Sequence, residues 1–174
     1  HCVNTAQNGE YFMRSPEQSR AHYDLHLHSY WSYDATAEVE DHFKRASELG
    51  VRYIAITDHH VMDASAQVIM CAARYPQVTA ILSSEMTVTT SVGSIDLLCY
   101  GFPRELTPSL QELANIYHHW QRAMGAAWSE GLQAIGYAFS DADRMTLLQT
   151  YRPAHVIALQ GNTHVKNGVL SEHC

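Results

Sequence analysis

The stretch from Tyr23 to Thr36, YDLHLHSYWSYDAT, ends an apolar run with His26 and His28 and adds a carboxylate, Asp34, shortly after. Further along, ITDHH brings Asp58, His59 and His60, SSE brings Glu85, and IDLLCYGF brings Asp96. Imidazole and carboxylate are together the ligand types of Zn, Mn and Fe, without selecting among them. Clustered divalent ions suit phosphate ester hydrolysis: they acidify a bound water to give hydroxide and neutralise phosphoryl charge. Taken alone, H-x-H is as easily a pair of histidines in a surface row, since both point the same way from a strand. What decides is whether the surrounding elements bring the other groups to the same place.

Those elements read as strand, helix, strand, helix, strand. AHYDLHLH alternates as a strand over Tyr23–His28, and TAEVEDHFKRASELG follows as a helix with Thr36 as its expected N-cap and Gly50 as its stop. Val39, Phe43 and Ala46 fall on one face of that helix. VRYIAIT is the second strand, MDASAQVIMCAARY a helix closed by Pro76, and QVTAILSSEMTVTT the third strand. SIDLLCYGF is expected to pair with the third strand through a turn at Val92–Ser94. A long helix, SLQELANIYHHWQRAMGAAWSEGL, and two short ones, DADRMTLLQTY and PAHVIALQG, complete the chain. Repeated strand–helix units imply a mostly parallel sheet, whose strands open their carboxyl ends on one rim. His26 and His28, Asp58 and His59, and Glu85 each stand at the end of a strand and so converge there.

The 174 residues suffice for one domain with a sizeable core, and 46% hydrophobic with 17% charged residues is a globular composition. No apolar stretch approaches the ~20 residues of a membrane span, and the start lacks a signal-peptide pattern. A formal charge of −7 argues against coating nucleic acid, although bound cations reverse the local sign at a site. Cys2, Cys71, Cys99 and Cys174 form no framework spacing and read as reduced thiols of a cytoplasmic protein, Cys71 and Cys99 in the core.

The combination DLHLHS…ITDHH…SSE resembles the PHP (polymerase and histidinol phosphatase) family over roughly residues 23–102. The resemblance implies a distorted (β/α)7 TIM-like barrel holding two or three divalent ions at its rim. His26, His28, His59 and Glu85 are then metal ligands, Glu85 bridging two ions. Asp58 lies at or beside the site as a catalytic group that orients a ligand or accepts a proton. Asp34 matches the family's acidic residue after the HS element with one extra residue between, and is otherwise a turn or helix-opening aspartate. Asp96 stands where members carry a histidine, and is otherwise a polar residue on the outer face of the fourth strand. DHH also names another phosphoesterase family, but that family needs aspartate pairs where this chain has H-x-H.

After Phe102 the family's late ligands, a histidine near a proline and a final D-x-H, are not found. The expectation is therefore an N-terminal extension over 1–22, then the N-terminal portion of a PHP domain over 23–174 with a helical insertion over about 107–174, in an incomplete chain. PAHVIALQG resembles the helical segment of nucleotide-hydrolysing members. That implies a phosphoesterase acting on small nucleotides or short oligonucleotides. The alternatives are a histidinol-phosphate phosphatase and a catalytically silent metal-binding module. His118 and His119 are expected to be solvated or packed, Arg122 and Arg144 to lie on helix surfaces, and Met62, Met70, Met124 and the tryptophans to be core. His22, His42, His155, His164 and His173 show no partner pattern, and His60 stands at the rim.

Overall fold

A computed structural model describes residues 21–160. The expected N-terminal extension, apart from its last two residues, lies outside them, as do Cys2, Cys174, His164 and His173. The elements run β1 (Tyr23–Leu27), α1 (Val39–Leu49), β2 (Tyr53–Ile56), α2 (Ser65–Arg74), β3 (Thr79–Thr90), β4 (Gly93–Tyr100), α3 (Pro108–Ala134), α4 (Asp141–Gln149) and α5 (Ala154–Gln160). The sheet order is β1-β2-β3-β4. β1, β2 and the first third of β3 pair in parallel, and from Ser83 onward β3 pairs antiparallel with β4.

One face of the sheet is covered by α1 and α2. Ile54 and Ile56 meet Val39, Phe43, Ala46, Val68 and Cys71 in one buried cluster. Phe43 is fully buried, a side chain whose burial is worth about 1.5–3 kcal/mol. α1 begins later than the sequence suggests: Glu38, not Thr36, is its N-cap, and the Asp41 carboxylate accepts from the Glu38 N–H at 3.4 Å. Gly50 ends the helix with φ 74°, which a side chain would disfavour.

The opposite face is concave. The Tyr100 hydroxyl on β4 donates to Leu25 O on β1 at 2.8 Å. In a flat sheet three spacings of about 4.8 Å would separate those strands by about 14 Å, beyond a tyrosine's reach. The sheet therefore curls toward that face, as part of a TIM-like barrel does. β1 also carries a register shift: three residues from Asp24 to Leu27 oppose two on β2, from Ile54 to Ile56. Leu27 thereby joins Ile56 on the helix-covered face, and His26 and His28, on either side of it, turn to the concave one.

The three later helices are tied to this layer. Val156 of α5 joins the sheet cluster beside Tyr30 and Trp31, and the His155 ring stands edge-on to Trp31 at 5.4 Å. Phe139, Leu148 and Ile157 form a smaller core among α3, α4 and α5. Arg144, expected at a helix surface, is fully buried. Its charge is paired: Nε donates to Ser129 Oγ at 2.9 Å and Nη2 to Asp141 Oδ1 at 2.6 Å. Other expectations for core residues fail for β4 and two helix faces. Cys99 is only half-buried, Met70 is exposed, and Trp120 is largely open to solvent, whereas Met62, Trp31 and Cys71 are buried.

Candidate metal centre

The predicted ligands reach the concave face from several elements. His26 and His28 come from the end of β1, turned inward by the register shift. Glu85 lies in the middle of β3, not near its end, just past the point where pairing passes from β2 to β4. There the DHH segment continues beside β3: Glu85 N donates to Asp58 O (3.1 Å) and His60 N to Glu85 O (2.8 Å). This bridge sets His59 next to Glu85. Asp34 arrives from the loop before α1, where Ser32 Oγ donates to its Oδ1 at 2.5 Å and accepts from the His59 N–H at 3.2 Å.

The ligand atoms converge on one carboxylate oxygen. Glu85 Oε2 lies 3.0 Å from His26 Nε2, 2.9 Å from His28 Nε2 and 3.7 Å from His59 Nε2. Donors about 2.1 Å from a common ion sit roughly 3.0–3.4 Å from one another, so the first two spacings are those of a coordination polyhedron. Two groupings result, His26–His28–Glu85 and His28–Asp34–His59, each with its ligand atoms within 4.8 Å of one another.

Proton bookkeeping at His28 tests whether an ion fits. Asp34 lies 3.0 Å from His28 Nδ1. Burial disfavours charge on Asp34, but the hydrogen bonds from His28 and Ser32 outweigh it and hold the carboxyl well below its ordinary range. Asp34 is then acceptor only, and His28 Nδ1 must donate. That leaves Nε2 as a lone pair facing the Glu85 carboxylate at 2.9 Å, and this buried atom makes no hydrogen bond. Two lone pairs at that distance require a positive species between them, a proton or a cation. The Asp34 hydrogen bond, working against burial, does raise the His28 pKa. His59 is pushed the other way by burial, and its Nδ1 is also buried without a hydrogen bond. The donor set thus fits a hard or borderline divalent cation.

Asp58 and Asp96 are not brought into these groupings. The Asp58 carboxylate, 1% exposed, accepts from Ser29 N (2.6 Å) and Ser29 Oγ (2.7 Å). Burial pushes its pKa up to about 6 against those two bonds. It fixes the residue following His28, in keeping with the orienting role that is one of the two expected of it. Asp96 shares the face of Glu85, since its partner Thr87 stands two residues from Glu85 on β3, so the outer-face alternative fails. Its Oδ1 accepts from Thr87 Oγ1 at 2.6 Å.

Several supporting residues carry no sequence signal. His42 Nε2 donates to His28 O at 3.0 Å, and the Tyr33 ring stacks on His59 at 4.9 Å. His60 adopts φ 61°, a left-handed conformation that costs a non-glycine residue about 1–3 kcal/mol. Arg152, 3% exposed, donates to Trp31 O at 3.0 Å and to Gln160 Oε1 at 2.6 Å. Gln160 in turn donates to Trp31 O (3.1 Å) and Asp63 Oδ2 (3.1 Å), and the buried His118 ring meets Asp63 at 2.9 Å. His118 is therefore packed, and His119 is exposed. α3 and α5 thereby hold the loop that delivers Asp34.

Fold and site together define a partial α/β barrel with a candidate metal centre on its concave rim, and the sequence agrees with that. The chain belongs to the PHP domain family, whose model matches residues 24–171. It is 46% identical over 37 residues to a "probable histidinol-phosphatase" of Thermotoga maritima, a stretch covering 21% of this chain and 16% of that protein. An amidohydrolase from Chromobacterium violaceum, solved with bound sulfate and no metal, superposes with a TM-score of 0.62 at 22% identity, covering 72% of this chain and 43% of that one. A "putative metal-dependent phosphoesterase" from Bifidobacterium adolescentis gives 0.61 at 16% identity, covering 80% and 50%. The chain thus spans half or less of the length of each of these proteins. Among the described residues no helix is long and apolar enough to cross a membrane.

Proposed function

We propose that this chain carries the early ligands of a metal-dependent phosphoesterase that hydrolyses small nucleotides or short oligonucleotides. The observation that carries the reading is the convergence of His26 and His28 on one Glu85 oxygen, with Asp34 and His59 alongside. His26, His28 and Glu85 would hold one divalent ion, and His59 with Asp34 the other side of the cluster, two or three ions of Zn, Mn or Fe in all. Ions there supply Lewis acidity: they lower the pKa of water and neutralise phosphoryl charge. The chain's own groups orient that chemistry. Asp34 fixes the His28 tautomer by accepting from Nδ1, and an orienting carboxylate of this kind is worth about 10–100-fold in metal affinity or activity. Asp58 holds Ser29, and Ser32 ties the Asp34 loop to His59. The architecture proposed around these ligands is the distorted (β/α)7 barrel that the family resemblance implies.

Histidinol-phosphate hydrolysis is the second reading, favoured by the 37-residue likeness to the Thermotoga maritima protein. Phosphate release from a panel of nucleotides, histidinol phosphate and simple phosphate monoesters, by the metal-loaded full-length protein, tests both. Glu85→Ala is expected to lower turnover at least about a hundredfold. A loss below about threefold with unchanged metal content would remove Glu85 from the site. No turnover on any ester, with metal retained, would favour the silent module instead.

A further inference from the structure

Beside the ligand cluster lies a second feature that metal binding does not use. Tyr33, His60, Thr87, Ile116, Tyr117 and Trp120 line a cleft of about 460 Å³, within the ~300–1,000 Å³ of small-molecule sites. Its walls are aromatic. The His60 ring stacks on Tyr117 at 4.7 Å and 16° and meets the edge of Trp120 at 6.0 Å. Tyr33 forms the wall shared with the cluster, since its ring stacks on His59. Thr87, two residues beyond Glu85 on the same face of β3, stands about 7 Å from it along the strand. Trp120 (43% exposed) and Ile116 (58%) leave large apolar surfaces open in this concave place.

The backbone of His60 gives an independent pointer. A histidine at positive φ is strained, and strain of this kind persists where the surroundings over-determine it, often at ligand clamps. Here it places a buried imidazole as one wall of the cleft. The His60–Tyr117 and Tyr33–His59 pairs are closed against each other, so a flat ring would lie on the outer faces and edges that line the cleft, where aromatic walls tolerate many rings because each offers a π-face.

We infer that this cleft is the ring-binding subsite of the substrate: Tyr117 and Trp120 of α3, with His60 and Tyr33, hold a nucleobase while its phosphate lies at the ligand cluster. The inference rests on the phosphoesterase reading and deepens it. It assigns the choice of substrate to the helical segment, separately from the groups that hold the ions. The cleft begins at Thr87, two residues from Glu85 on the same face, so the fitting ligand class is a small one whose ring and phosphate lie close together, a mononucleotide or the terminal nucleotide of a short oligonucleotide.

The test compares adenosine 5′-phosphate with ribose 5-phosphate on the metal-loaded full-length protein. The two share sugar and phosphate and differ only in the ring. The kcat/KM ratio is expected to favour the nucleotide at least about tenfold, and Trp120→Ala or Tyr117→Ala should bring that ratio at least about fivefold closer to one, the lower end for loss of one stacking partner. A ratio near one in the parent, or a ratio unchanged in both variants, overturns the inference, and so does a preference for histidinol phosphate over the nucleotide. A second measurement needs no turnover: line broadening of adenosine ring protons by the protein, reduced in Trp120→Ala. Ring binding without ester hydrolysis would keep the subsite and refute the phosphoesterase reading. Hydrolysis without ring preference would do the reverse.

Discussion

Arg152→Ala probes how the helical segment holds the site. Arg152 is 3% exposed and donates to Trp31 O, to Gln160 Oε1 and, at 3.4 Å, to Tyr30 O. Truncation leaves Trp31 O with its bond from Gln160 but deprives Gln160 Oε1 and Tyr30 O of this donor in a buried place. An orphaned buried acceptor costs about 1–3 kcal/mol, and the 2.6 Å bond from a charged donor belongs at the upper end. The sum is about 3–5 kcal/mol, a large part of the ~5–15 kcal/mol available to a domain. At ~2–4 °C per kcal/mol for a chain of this size, the midpoint falls by roughly 6–20 °C. Urea titration with thermal melts reads the loss, and metal content at low temperature reads its effect on the Asp34 loop. Arg152→Lys should recover part of the stability, because one ammonium can meet Gln160 but not the whole set. A change below about 0.5 kcal/mol in Arg152→Ala would refute the reasoning.

Two further outcomes are expected. Ser29→Ala removes the hydroxyl that donates to Asp58 at 2.7 Å and leaves a buried carboxylate with one donor fewer, which should cost about 1.5–3 kcal/mol by urea titration; stability within 0.5 kcal/mol of the parent would dismiss the clamp. Asp96→Ala should keep the parent's metal content, because Asp96 is engaged by Thr87 and stands outside both ligand groupings; loss of an ion, read by elemental analysis, would return Asp96 to the ligand set.

Much of the sheet and its rim is legible in local pattern. Alternation marks β1, the apolar run marks β2, and the polar ends DLHLHS, ITDHH and SSE bring four of the groups together before any geometry is known. The register shift in β1 is not legible, although it turns His26 and His28 inward, because a bulge depends on pairing with a distant strand. The roles of Asp58 and Arg152 were hidden for the same reason. That the carboxylate beside a ligand histidine holds Ser29 depends on a partner 29 residues away. Arg152 meets Trp31 across 121 residues, and nothing in its neighbourhood announces a buried guanidinium. Arg144 misleads similarly, since its burial depends on Ser129 of another helix. Cys99 and Trp120 show the converse: apolar sequence on β4 and α3 promises core, but Cys99 is only half-buried and Trp120 borders the open cleft.

Metal content per chain tests the central claim most directly, measured by inductively coupled plasma mass spectrometry on protein purified without added metal or chelator. Two or more equivalents of Zn, Mn or Fe, lost in Glu85→Ala and His26→Ala, is the predicted result. Clearly less than one equivalent, with no uptake when these ions are added, would contradict it and leave the lone pairs at His28 and Glu85 to be reconciled by a proton alone.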